Sequence, residues 1–142
     1  MLPFDDLLLA KPMYQQRTCS IHISVEPFYV DDQSSPASGR FVFGYRVQID
    51  NEGDEAVQLM SRYWQITDSL GRTMEVEGSG VVGEQPLIEP GDSFEYTSGT
   101  PLTTPSGVMS GRYLMVTASG ETFDADIPAF SLDAPGAQMR LN

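Results

Sequence analysis

Gly78-Ser79-Gly80-Val81-Val82-Gly83-Glu84-Gln85-Pro86-Leu87-Ile88-Glu89-Pro90-Gly91 is the stretch that decides the fold of this chain. Its first six residues spell G-x-G-x-x-G, the glycine spacing of a dinucleotide-binding turn. That spacing carries chemistry only where a strand enters and a helix leaves, because the helix N-terminus holds the pyrophosphate. Here a strand-like segment enters, but Pro86, Pro90 and Gly91 follow and break any helix that starts at Gly83. No βαβ unit of ~30 residues is formed. The glycines are therefore expected to allow left-handed backbone and close approach in a tight crossover between two sheets. A second use is an anion nest built from successive N–H groups of the loop, aided by Arg62, Arg72 or Arg112 if the fold brings one near.

The flanks extend the all-β reading. Cys19, Ile21, Ile23 and Val25 alternate with Ser20, His22, Ser24 and Glu26, which predicts a half-buried strand with Cys19 facing the core. Phe41, Phe43, Tyr45, Val47 and Ile49 repeat the pattern. Val30–Gly39 is a polar loop, and Asn51–Glu55 is a turn. A third strand carries Trp64 and Ile66. Ser69–Arg72 closes a hairpin into Thr73–Gly78. Further strands hold Phe94 with Tyr96, Met109–Val116 and Thr122–Ile127, where Asp124 and Asp126 take the solvent face. Seven to eight antiparallel strands with turn signals and no helical period predict an immunoglobulin-like or fibronectin type III-like β-sandwich. Residues 1–16 are assigned to an N-terminal extension, 17–133 to the sandwich domain and 134–142 to a flexible tail.

Composition bounds the function. A chain of 142 residues, 40% hydrophobic, is one domain. It buries roughly 68–70% of its unfolded surface and needs no disulfide to hold a core. Twenty acidic residues against eight basic ones give a formal charge of −12, a field that repels nucleic acid and anionic membranes. One cysteine, no basic leader and no run of ~20 apolar residues predict a cytoplasmic protein without a membrane span.

Candidate chemistry is sparse. His22, the sole histidine, takes the polar face of its strand, so zinc ligation and Ser–His or Cys–His nucleophilic catalysis lack their parts. Asp50, Asp54 and Glu55 are candidates for a divalent cation, without the spacing of an EF-hand loop. Gly78, Gly80, Val81, Val82, Gly83, Glu84, Gln85 and Pro86 form the candidate anion or partner loop. Arg62, Trp64 and Tyr96 are a candidate partner surface. No catalytic residue and no cofactor is assigned.

A family resemblance is carried by Ser61-Arg62, Trp64, Ile66, Asp68, Gly71, Gly78, Gly80–Gly83, Gln85-Pro86-Leu87, Pro90-Gly91, Phe94, Tyr96, Ser98-Gly99, Pro105, Gly107, Met109, Gly111 and Tyr113. On these residues the chain resembles the ApaG domain over about 17–133. The resemblance implies a fibronectin type III-like sandwich, no assigned catalytic activity and a link to cobalt and magnesium tolerance. Similar domains in eukaryotic F-box proteins look like protein-binding modules. Tyr63 and Thr100 stand where the family pattern has His and Cys, which argues against direct metal binding through this sheet. The expectation is a non-enzymatic module for an unknown protein partner, with an indirect role in cobalt and magnesium homeostasis. The alternative is a binder that holds a nucleotide or pyrophosphate anion on Gly78–Gly83. Edge strands of an open sandwich also offer a route to a homodimer.

Overall fold

The computed structural model of the chain describes residues 13–136. Through them run β1 (Tyr14–Thr18), β2 (Ile21–Tyr29), β3 (Phe41–Asn51), β4 (Val57–Asp68), β5 (Thr73–Ser79), β6 (Leu87–Ile88), β7 (Ser93–Leu102), β8 (Ser106–Thr117) and β9 (Thr122–Asp133). One sheet has the order β1-β2-β3-β7 and the other β5-β4-β8-β9, with β6 also paired to β4. All pairings are antiparallel. The two sheets pack face to face as a fibronectin type III-like β-sandwich. No helix among the described residues is long and apolar enough to cross a membrane.

Alternation builds the core. Ile21, Ile23 and Val25 of β2 meet Val47 and Ile49 of β3 on one inner face, each at most 1% exposed. Leu59, Tyr113, Met115, Ala125 and Phe130 cover them from the other sheet. Each large apolar side chain so buried contributes about 1.5–3 kcal/mol relative to exposure. Trp64 is the hub of an aromatic cluster, with ring centroids 5.3 Å from Tyr45, 5.9 Å from Phe130 and 6.4 Å from Tyr113. Exposed Asp124 and Asp126 alternate with half-buried Phe123 and buried Ala125 and Ile127, as the pattern predicts.

Three expectations are corrected. Cys19 is not a core-facing strand residue: it sits exposed in the turn between β1 and β2 with φ 53°. The alternation that includes it begins only at Ile21. Secondly, β1 starts at Tyr14, so Tyr14–Gln16 belong to a sheet although the sequence reading places them in the extension. Its Gln-Gln-Arg-Thr run gives no strand signal alone, and pairing with β2 supplies it. Thirdly, the glycine loop does not cross between sheets. β5 pairs with Ser61–Thr67 of β4 and β6 with Val57–Gln58, both antiparallel, so they are two pieces of one interrupted edge strand. The loop is an excursion between the pieces. The crossing follows at Pro90-Gly91, where the Gly91 amide donates to the Asn51 carbonyl at 2.8 Å. Of the tail assigned to 134–142, Ala134 is buried and its amide donates to the Pro105 carbonyl at 2.8 Å, while 1–12 and 137–142 lie outside the described residues.

The sandwich is closed along one side only. There the Tyr14 ring packs 6.1 Å from Phe130, and the Asp126 amide of β9 donates to Thr18 Oγ1 of β1 at 3.1 Å. On the other side β7 and β5 are the terminal strands, and clefts open between them.

Candidate functional site

A β-bulge at Met60 organises the open side. The β4–β8 register slips between Leu59 and Ser61. Before the slip odd-numbered residues face inward (Val57, Leu59); after it even-numbered ones do (Trp64, Ile66). A one-residue slip exchanges the two faces of a strand. Arg62 is thereby turned inward, opposite Gly78 on β5 and Tyr113 on β8.

The glycine loop is stitched to the bulge. The Met60 carbonyl accepts the Gly80 amide at 2.9 Å and Gln85 Nε2 at 2.9 Å. The Leu59 amide donates to the Pro86 carbonyl at 3.0 Å. Val81 and Glu84 exchange two backbone bonds around a turn whose central residues, Val82 and Gly83, have φ 44° and 81°. Such left-handed pairs make the tight two-residue turns that match strand twist. Gly80, at φ 59°, has no room for a Cβ, which would stand 2.0 Å from the Glu84 carbonyl oxygen. Arg62 locks the arrangement: Nη1 donates to the carbonyls of Ser79 at 3.0 Å and Gly80 at 2.9 Å.

Beneath the turn lies a cleft of about 320 Å³, lined by Tyr45, Arg62, Trp64, Val82, Tyr96 and Ser98 among others. The fold thus brings the candidate loop and the candidate surface residues Arg62, Trp64 and Tyr96 to one place. Sequence reasoning missed Tyr45 and Ser98 as neighbours of Arg62. Their register opposite each other on β3 and β7 puts them there. Burial pushes the Tyr45 hydroxyl above the ordinary phenol value, only partly offset by Ser98 and Arg62. Burial raises Tyr96 further, against its hydrogen bond to Tyr113. Both hydroxyls stay protonated near neutral pH and can bind but not abstract a proton. The cleft thus sets the Arg62 guanidinium beside an aromatic wall of Tyr45, Trp64 and Tyr96.

The amides of Gly80, Val81 and Glu84 are donated to the carbonyls of Met60, Glu84 and Val81, so an anion on the loop itself would compete with these bonds. The side-chain cation beside the loop is Arg62. Arg112 stacks on the Tyr63 ring at 4.1 Å, and Arg72 pairs with Asp68 at 2.8 Å.

The cation candidates do not converge. Asp50 takes Gln48 Nε2 at 2.9 Å, the Ser93 hydroxyl, and His22 Nδ1 at 3.2 Å. Glu55 accepts the Ser119 amide at 2.9 Å, in a different loop. Among the described residues no group of three or more His, Cys, Asp or Glu could hold a metal ion. His22 also faces Gln15 Oε1 at 3.1 Å, on the outer face of the first sheet and away from the cleft.

Comparison with known proteins places this architecture. The ApaG domain model matches residues 31–117. "Protein ApaG" of Paramagnetospirillum magneticum is 58% identical over 130 residues, 92% of this chain and all of that one. "Protein ApaG" of Brucella anthropi is 60% identical over the same coverage. A crystal structure from Bordetella pertussis superposes with a TM-score of 0.79 at 49% identity, covering 81% of this chain and 94% of that one.

Proposed function

The chain belongs to the ApaG domain family, and from that premise we propose that it is a non-enzymatic, cytoplasmic protein-binding module that presents the glycine loop and the cleft beneath it to a protein partner. The observation that carries this reading is Val82. It is a β-branched apolar residue at the tip of the turn, 54% exposed and held at φ 44°. That conformation costs a non-glycine residue about 1–2 kcal/mol, and Asn or Gly would take it with less strain. Strain of this kind concentrates where a side chain is presented for use. The loop behind Val82 is fixed by Met60 and Arg62, so the apolar tip is offered on a preorganised support, which lowers the ordering cost of binding.

The link to cobalt and magnesium is proposed to be indirect. Asp50 and Glu55 are already engaged by protein donors from different elements, and the nearby charge does not gather into a ligand set. A photo-crosslinking residue placed at Val82, in the full chain within cells, is expected to trap a discrete protein. The same residue at Glu121, in the turn between β8 and β9, is expected not to trap it. Identical products from both positions, or none from Val82, would overturn the reading. Equilibrium dialysis that shows stoichiometric cobalt on the purified chain would overturn the indirect role.

A further inference from the structure

The open side of the sandwich holds two hollows in a row. One is the Arg62 cleft. The other, of about 510 Å³, is lined by Ile66, Met74, Pro101 and Leu102, and also by Arg40 and the Asp68–Arg72 pair. Arg62 and Ile66 are four apart on β4, and so are Ser98 and Leu102 on β7. At about 3.3 Å per residue the hollows stand roughly 13 Å apart. Val76 pairs with buried Trp64 and Met74 with buried Ile66, so both point to the inner side of β5. Yet they are 40% and 52% exposed, because nothing among the described residues covers that rim. β5 and β7 each end a sheet, which leaves rows of backbone donors and acceptors bordering the groove.

The charges point to the occupant. Arg17, Arg46 and Arg72 each face a carboxylate, at 2.8, 3.5 and 2.8 Å. Arg112 lies over an aromatic ring, and Arg40 is exposed and bonds the Gln33 carbonyl at 3.3 Å. Arg62 is half-buried, yet among the described residues no carboxylate lies within salt-bridge reach of it. Its Nη1 is committed to two carbonyls, while Nε and Nη2 carry no hydrogen bond to the described residues. Those two nitrogens are left for an external acceptor, close enough to outweigh the repulsion of the chain's net negative charge.

We propose that the groove between β5 and β7 takes an extended segment of a partner polypeptide. A carboxylate side chain of that segment sits on Arg62, and a large apolar side chain four residues away fills the hollow at Ile66, Met74 and Leu102. This rests on the binding-module reading and names the chemistry of its partner. Strand periodicity supports the spacing, since side chains four apart on an extended chain point the same way and lie as far apart as the hollows. The planar guanidinium suits a carboxylate, and addition along a sheet edge supplies main-chain bonds. A small anion would use Arg62 but leave the apolar hollow empty.

The test is to pan displayed linear peptides, about twelve residues long so as to span both hollows, on the full chain. Enrichment of Asp or Glu four residues from Leu, Met, Ile or Phe supports the proposal. A synthetic copy of an enriched peptide is then expected to bind about tenfold or more weakly to Arg62→Lys and to Met74→Asp, and equally so when its own acid is replaced by the amide. Met74 is exposed, so Met74→Asp tests the groove without depending on the loop bonds of Arg62, and its unchanged melting keeps folding out of the comparison. Enriched peptides without that spacing, binding indifferent to Met74→Asp, or no enrichment at all would overturn it. So would displacement by pyrophosphate with dependence on Arg62 alone, or a dimer in sedimentation that Met74→Asp dissolves. A cross-linked partner at Val82 whose capture ignores both variants would leave the binding module standing and remove this groove from it.

Discussion

The guanidinium of Arg62 occupies the space that a side chain on Gly78 would need: a Cβ at Gly78 would stand 2.7 Å from Arg62 Nη2. The first glycine of the motif therefore makes room for a cation of the protein itself. The second, Gly80, serves the turn. The two positions look alike in the sequence and carry different physical demands.

Gly78→Ala meets only the far end of a flexible side chain, so Arg62 can swing aside. The expected cost is about 1–2 kcal/mol, the scale of two net hydrogen bonds. Gly80→Ala meets the Glu84 carbonyl at 2.0 Å in a left-handed conformation. Strain and overpacking together predict about 2–5 kcal/mol. Urea unfolding of both variants checks the order, and equal losses would refute the two roles.

Val82→Asn relieves the left-handed valine while keeping the turn. An increase in stability of about 1 kcal/mol is expected, together with weaker cross-linking of a partner at the adjoining position Gly83. A variant that is more stable and binds equally well would remove Val82 from the interface.

Alkaline pH probes the tyrosine cluster. The Tyr45, Tyr96 and Tyr113 hydroxyls are all raised above the ordinary phenol value, chiefly by burial. Their folded forms hold the proton after an unfolded chain has begun to release it. The sign follows: their contribution is fully present below pH about 10 and is lost as pH rises through the folded values. Stability should fall steeply above pH about 10, and Tyr96→Phe should shallow that slope. Phenolate absorbance that develops fully before unfolding would contradict the buried cluster.

Much of the sandwich was legible in the chain alone. Period-two alternation from Ile21 and from Phe41 set the inner faces of β2 and β3, because facing inward is a local property of a pleated strand. Pro86, Pro90 and Gly91 excluded a helix after the glycine motif for an equally local reason: they cannot continue one. A further signal lay in β4, where inward parity is odd at Val57 and Leu59 and even at Trp64 and Ile66. That change implies an extra residue between Leu59 and Trp64, but Met60 and Tyr63, one of each parity, leave its place undefined. Cys19 was misassigned for the converse reason, since a small apolar residue in phase with a strand is indistinguishable from its first residue.

The chain's own pattern was enough for an all-β sandwich, for the inner faces of β2 and β3 and for a glycine motif that holds no helix-borne phosphate. The inward turn of Arg62 at the Met60 bulge, the space that Gly78 leaves for it, and the gathering of Tyr45, Trp64, Tyr96 and Ser98 around it came from the fold. Those relationships depend on register between strands distant in the chain, and register is set by the packing of whole sheets rather than by any segment's own pattern.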